Sequence, residues 1–145
     1  MVKYVFLTQD FYNDYITCTE IEQKNNRPYI MIITTIGNID FAIPLRSNIN
    51  HGHVVWTDQG NKCGLDLTKS IVITDKNRYI DNATKPHIRP NEFKELKGKE
   101  YVITQKLTQY INLYKKSLTK KHLHNNALLC QYSTLQYFHK ELGIN

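Results

Sequence analysis

The stretch from Arg27 to Leu45 constrains the fold more than any other part of the chain. Arg27-Pro-Tyr-Ile-Met-Ile-Ile-Thr-Thr-Ile36 is dense in β-branched and aromatic residues, Gly37-Asn38 interrupts it, and Ile39 to Leu45 returns in the same style. A two-residue Gly-Asn break between such runs predicts a β-hairpin. Its first arm is apolar at consecutive positions, so both faces need cover and the arm belongs in the middle of a sheet. Shorter runs add a strand around Tyr4 and Phe6, another from His53 to Thr57, a turn over Asp58 to Lys62, and a strand from Ser70 to Thr74. The sheet is expected to be mostly antiparallel.

Helical periods flank this strand-rich region. Phe11, Tyr15 and Ile16 fall at helical spacing behind Thr8 or Asp10 as N-cap, which predicts a short helix after the first strand. Pro90 followed by Phe93 and Leu96, with Gly98 beyond, predicts a second short helix. Ile103, Leu107, Tyr110, Ile111, Tyr114 and Leu118 recur at the 3.6-residue period, the stripe of a long helix packed on the sheet. Leu135, Phe138 and Leu142 predict a last helix over Thr134 to Leu142. No repeat, low-complexity stretch or linker divides the 145 residues, and 41% hydrophobic content supplies one continuous core. The expectation is one α+β domain over residues 1–145.

Charge is distributed unevenly. The net charge is +6, and between Lys85 and Lys121 ten Lys or Arg face three acids (Glu92, Glu95, Glu100), a local +7. The remainder is slightly acidic, so the whole excess sits in one quarter of the chain. Lys99, Lys106, Lys115, Lys116, Lys120 and Lys121 lie off the apolar stripe of the long helix. Clustered cations of this kind point to a polyanionic partner, nucleic acid above all; lysines kept only for solubility are the plainer reading. Cys18, Cys63 and Cys130 are odd in number and form no C-x-x-C pair, which fits a reducing cytoplasm. The first ten residues lack a leader-type apolar region, and no apolar run approaches the ~20 residues a bilayer requires, so no membrane partner is expected.

Several chemistries lose their usual signatures. There is no Walker A sequence, no G-x-G-x-x-G, no G-x-S-x-G and no H-E-x-x-H, and the acids include no D-x-D pair for a two-metal nuclease. RNA, however, carries its own nucleophile. A metal-free ribonuclease needs a proton acceptor for the 2′-OH, cationic or hydrogen-bonding groups for the phosphorane, and a donor for the 5′-oxygen. Residues suited to these roles bunch in Ile43-Pro-Leu-Arg-Ser-Asn-Ile-Asn-His-Gly-His53. There Arg46 offers forked donors to a phosphate, Ser47 and Asn48 can orient it, and His51 and His53 belong to the residue type whose charge changes near neutral pH. The plain alternative is a polar loop after a strand. An H-x-H metal pair is a weaker reading, since His122-Leu-His124 repeats it beside lysines that repel cations. A second cluster, Lys85-Pro-His-Ile-Arg-Pro-Asn-Glu-Phe93, sets cations between prolines that stiffen the backbone; a simple helix lead-in is its alternative.

Four motifs carry a family resemblance. Phe41-Ala-Ile-Pro-Leu-Arg-Ser47 resembles the strand ending in P-L-[TR]-S of the ToxN/AbiQ superfamily. Cys63-Gly-Leu-Asp66, Lys85-Pro-His-Ile-Arg-Pro-Asn-Glu-Phe93 and Tyr132-Ser-Thr-Leu-Gln-Tyr-Phe-His139 look like its CptN/TenpN branch, so the likeness spans nearly the whole chain. The resemblance implies a twisted antiparallel sheet wrapped by helices, related to the MazF/Kid toxins. It further implies a type III toxin-antitoxin endoribonuclease, without cofactor or metal, that cleaves single-stranded cellular or phage RNA to a 2′,3′-cyclic phosphate. The implied inhibitor is an antitoxin RNA of repeated pseudoknots, held in a closed protein-RNA hetero-oligomer.

By the resemblance, Ser47 matches the family's catalytic serine, Arg46 stands where ToxN has threonine, and Tyr12 matches a tyrosine near the site. The ToxN lysine two positions after the serine is replaced by Ile49, leaving Arg46, His51 or Arg89 to stabilise the phosphorane. The expected catalytic set is Arg46, Ser47, His51 and Tyr12. The expected RNA-binding set is Asn48, Lys85, His87, Arg89, Asn91, Lys94, Lys97, Lys99, Lys106 and Lys116. Two rivals share the same charge cluster: a non-catalytic basic RNA-binding module, and a domain whose basic helix meets an acidic protein.

Overall fold

The computed structural model describes residues 1–21 and 28–145. Its strands are β1 (Lys3–Leu7), β2 (Met31–Ile36), β3 (Ile39–Arg46), β4 (Val54–Asp58), β5 (Cys63–Asp66), β6 (Ile71–Ile73) and β7 (Ile80–Asp81). Its helices are α1 (Gln9–Asp14), α2 (Lys76–Tyr79), α3 (Pro90–Leu96), α4 (Glu100–Leu118) and α5 (His124–Tyr132), with single 3₁₀ turns at Gln59–Asn61, Leu67–Lys69 and Thr134–Tyr137. The class is α+β. The strands form one antiparallel sheet in the order β4-β5-β3-β2-β1-β7, with β6 also pairing with β3. Among the described residues no helix is long and apolar enough to cross a membrane.

The hairpin forms as its composition dictates. Ile36 pairs with Ile39 across a two-residue loop, and Gly37 takes φ +60°, which a side chain would resist. β2 lies between β1 and β3, in the middle of the sheet as its apolar run requires; the start of the expected arm, at Arg27, lies outside the described residues. β3 is the hub. It holds β2 along its whole length on one side, while on the other its Asp40–Ala42 portion holds β6 and its Leu45–Arg46 end holds β5. One strand therefore carries the sheet's middle at its start and delivers Arg46 at its end.

Thr8 is the N-cap of α1, its side chain accepting from the Phe11 N–H, and Phe11 is fully buried. In α4 the predicted stripe is inside: Ile103, Leu107, Tyr110, Ile111 and Tyr114 are buried, and Thr104 bonds Thr34 of β2 at 2.8 Å. Removing an Ile or Leu side chain of that kind from water contributes roughly 1.5–3 kcal/mol. α3 starts at Pro90 and ends before Gly98, which takes φ +75°. Its inward face differs from the expectation. Leu96 is buried, but Phe93 is half exposed against Tyr4 and Glu92 is buried in its stead.

The expected helix over Thr134–Leu142 is corrected to a 3₁₀ turn, Thr134–Tyr137, followed by further turns. Leu135, Phe138 and Leu142 are buried as the spacing demanded, since a 3₁₀ turn also brings i and i+3 together. Tertiary bonds decide the matter. Ser133 accepts from the Tyr110 hydroxyl at 2.8 Å and caps Leu135 N–H, while Thr134 donates to the Ser70 and Thr68 carbonyls. α5 was not expected, because Leu123 and Leu128 are exposed and Cys130 is its one buried residue.

β5 is short and contains Gly64, which packs closely against β4. A Cβ there would stand 2.6 Å from the Val55 carbonyl oxygen, 2.7 Å from Val54 Cγ1 and 3.0 Å from Trp56 Cα. Two of these atoms are backbone and cannot swing away. Gly64→Ala is expected to lower stability by about 1–3 kcal/mol, read as a fall in melting temperature; an unchanged transition would show that β4 and β5 are not packed this closely.

Candidate functional site

The pairing of β3 with β5 builds the site. Arg46 stands opposite Gly64, so Asp66, two residues on, is its diagonal neighbour on the same face of the sheet. Arg46 Nη1 donates to Asp66 Oδ2 at 2.5 Å. Asp66 Oδ1 accepts from Thr68 N–H at 3.0 Å and Thr68 Oγ1 at 2.6 Å, and His51 Nε2 lies 3.1 Å from it. The carboxylate is wholly buried. Burial alone pushes its pKa up, but hydrogen bonds from His51, Thr68 and Arg46 outweigh that and hold it down at about 2. Asp66 thus stays ionised near neutrality and locks Arg46 in place.

The loop after β3 completes the arrangement. Asn48 takes φ +58°, which asparagine tolerates better than most residues, and Ile49 is buried with its N–H on the Lys62 carbonyl at 3.1 Å. The position points inward and offers no polar group to a ligand. His51 Nδ1 accepts from the His53 N–H at 3.1 Å, which assigns its proton to Nε2, the edge facing Asp66. Both ring nitrogens are therefore engaged. His53 packs on Tyr110 with ring centroids 5.5 Å apart, and burial, with His51 close by, lowers its pKa. Among the described residues no group of three His, Cys, Asp or Glu side chains is placed to share a metal ion.

Arg46 stands on the wall between two recesses. The smaller holds about 20 Å³, room for a single water, and is lined by Tyr12, Tyr29 and Lys69 among apolar neighbours. Burial, with Tyr29 nearby, raises the Tyr12 hydroxyl to about 12, so it keeps its proton and acts as a donor at ordinary pH. The larger cavity holds about 400 Å³, within the ~300–1,000 Å³ range of ligand pockets. Tyr29, Arg46, Ser47, His87, Arg89 and Glu92 are on its walls. The Arg46-Ser47 turn and the Pro-flanked Lys85–Phe93 segment, separate in sequence, thus face one space.

Other expected residues lie elsewhere. Asn48, Lys85, Asn91, Lys94, Lys97, Lys99, Lys106 and Lys116 line neither recess. Lys99 pairs with Glu95 at 2.9 Å, and Lys94, Lys97, Lys106 and Lys116 are exposed. His51 lines neither recess and meets the site at Asp66; its outer edge borders a separate open depression shared with Trp56 and Lys62. Three members of the site were not singled out from sequence: Asp66, Tyr29 and Glu92. Cys63-Gly-Leu-Asp66 stood out as a motif, yet a lone Asp at a strand end gives no sign of what it will meet.

No protein-family model, curated protein or solved structure matches this chain.

Proposed function

We propose that the chain is a metal-independent endoribonuclease of the ToxN/AbiQ toxin kind, acting on single-stranded RNA in the cytoplasm. The observation that carries the reading is the buried Asp66 holding Arg46 rigidly beside Ser47, His87 and Arg89 on one cavity of about 400 Å³. Charge-assisted donors fixed in advance cost no reorganisation when negative charge develops, which is what a phosphorane requires. In the reaction the RNA 2′-OH loses its proton and attacks the adjacent phosphorus. The P–O2′ bond forms, the P–O5′ bond breaks, and the 5′-oxygen takes up a proton. Arg46 and Arg89 neutralise the non-bridging oxygens and Ser47 orients them. His87, the imidazole on the cavity wall, carries the proton. His51 acts through Asp66 as a positioning residue, and Tyr12 shares the smaller recess with Arg46.

The same basic surface would hold an antitoxin RNA of repeated pseudoknots, which gives the closed protein-RNA assembly its rationale. A second reading is a basic RNA-binding module without catalysis, favoured by the exposed lysines of α3 and α4 that line neither recess. The two are separated by incubating the protein with end-labelled single-stranded RNA in EDTA. The nuclease reading expects fragments ending in 2′,3′-cyclic phosphate, made at least about 10-fold more slowly by Ser47→Ala. Bound but intact RNA leaves the binding module, and an acidic protein retained after nuclease treatment leaves the protein-partner reading.

A further inference from the structure

We infer that the 400 Å³ cavity is a guanine subsite, read by the Glu92 carboxylate. The inference rests on the nucleic-acid part of the preceding section and names the base that the same site selects. Glu92 is only 7% exposed, yet it is on the wall of a cavity whose other charged groups are Arg46 and Arg89. Its Oε2 accepts from the Thr57 hydroxyl, which ties α3 to β4. That tie uses one of the two acceptor sites on Oε2 and leaves the other. The nearest cation to Oε1 is Arg89 Nη1 at 3.7 Å, beyond hydrogen-bond reach, so Oε1 keeps acceptor capacity for a ligand.

A carboxylate repels phosphate oxygens and accepts from N–H or O–H groups, so a base that comes to Glu92 must present N–H groups. The four bases differ on this point. Guanine alone places a ring N–H beside an exocyclic amino group, two neighbouring donors matched to a carboxylate. Uracil flanks its N–H with two carbonyls, and adenine and cytosine set an acceptor nitrogen next to their amino group. The remaining walls suit the rest of the nucleotide. Tyr29 gives an aromatic face, with the Arg46 guanidinium 5.9 Å from its ring centroid, and Leu45 and Ile88 give apolar contact. Arg46, Ser47 and Arg89 remain for the phosphate.

The test is binding by the full chain of a fluorescent single-stranded oligouridine with 2′-deoxy sugars at and beside its central residue, so that cleavage there cannot interfere. The central base is guanine, inosine, which lacks only the exocyclic amino group, or adenine. Guanine should bind about 10-fold more tightly than inosine and at least as far above adenine, as expected for one charge-assisted hydrogen bond. Glu92→Gln should bring the three within about 2-fold of one another. Equal binding of all three by the unmodified protein overturns the subsite, even when all-ribose RNA is cut. A guanine preference without cutting of all-ribose RNA keeps the subsite and removes the nuclease. A preference that survives Glu92→Gln overturns the assignment to Glu92; should that variant fail to fold, the inosine comparison decides alone.

Discussion

Asp66→Ala is expected to lower the stability of the fold by about 3–5 kcal/mol, the cost of removing one partner from a buried ion pair. Four donors converge on this side chain from Arg46, His51 and both the N–H and hydroxyl of Thr68, and all lose their acceptor together. The carboxylate also caps the turn at Leu67–Lys69, so the segment leading into β6 loosens with it. Asp66→Asn keeps the shape but not the charge and should fall between the two. The acid limb of stability gives an independent check. A carboxyl group near 3.9 in the unfolded chain and about 2 in the fold stabilises the native state fully above the first value and loses that contribution as pH falls through the second. The wild type should therefore lose about 2–3 kcal/mol more than Asp66→Asn between roughly pH 5 and pH 1. Urea unfolding across that range measures it, and parallel curves for the two proteins would mean that Asp66 is not held as described.

Arg46→Lys is expected to slow RNA cleavage in EDTA by about 10²–10³-fold, the usual cost of losing one pre-aimed transition-state donor. The guanidinium can give one nitrogen to Asp66 and turn others to the phosphate, because its donors are spread over a rigid fork. An ammonium is a single point and must choose between them. Binding of uncleavable RNA should weaken far less, by about 10-fold or under, which separates a role in the reaction from a role in holding the strand. Cleavage at the wild-type rate would remove Arg46 from the chemistry. Equal losses in binding and cleavage would place it in strand binding alone.

What the chain announces locally, the fold keeps. The Gly37-Asn38 hairpin, the capped α1, the stop at Gly98 and the buried stripe of α4 all follow from spacing within a few residues, and each is present. Thr134 to Leu142 is the informative departure. Its apolar spacing suits an α-helix and a 3₁₀ turn alike, and the choice falls to hydroxyl bonds with carbonyls more than sixty residues away. The site divides in the same manner. Arg46 and Ser47 are legible as cation and hydroxyl at a strand end, and His87 and Arg89 as polar residues between prolines. Asp66 and Glu92 are not, because an acid's role depends on what lies against it.

The sequence by itself determined a strand hairpin, a long amphipathic helix, a concentrated positive charge and a polar turn after a strand, since each is a matter of neighbours along the chain. Only the tertiary structure decided that β3 and β5 pair in the register that sets Arg46 beside Asp66, and that Glu92 faces inward where Phe93 was expected. Register and burial are properties of the whole sheet and its cover. A shift of one residue in that pairing would turn Asp66 to the opposite face and leave Arg46 without its anchor.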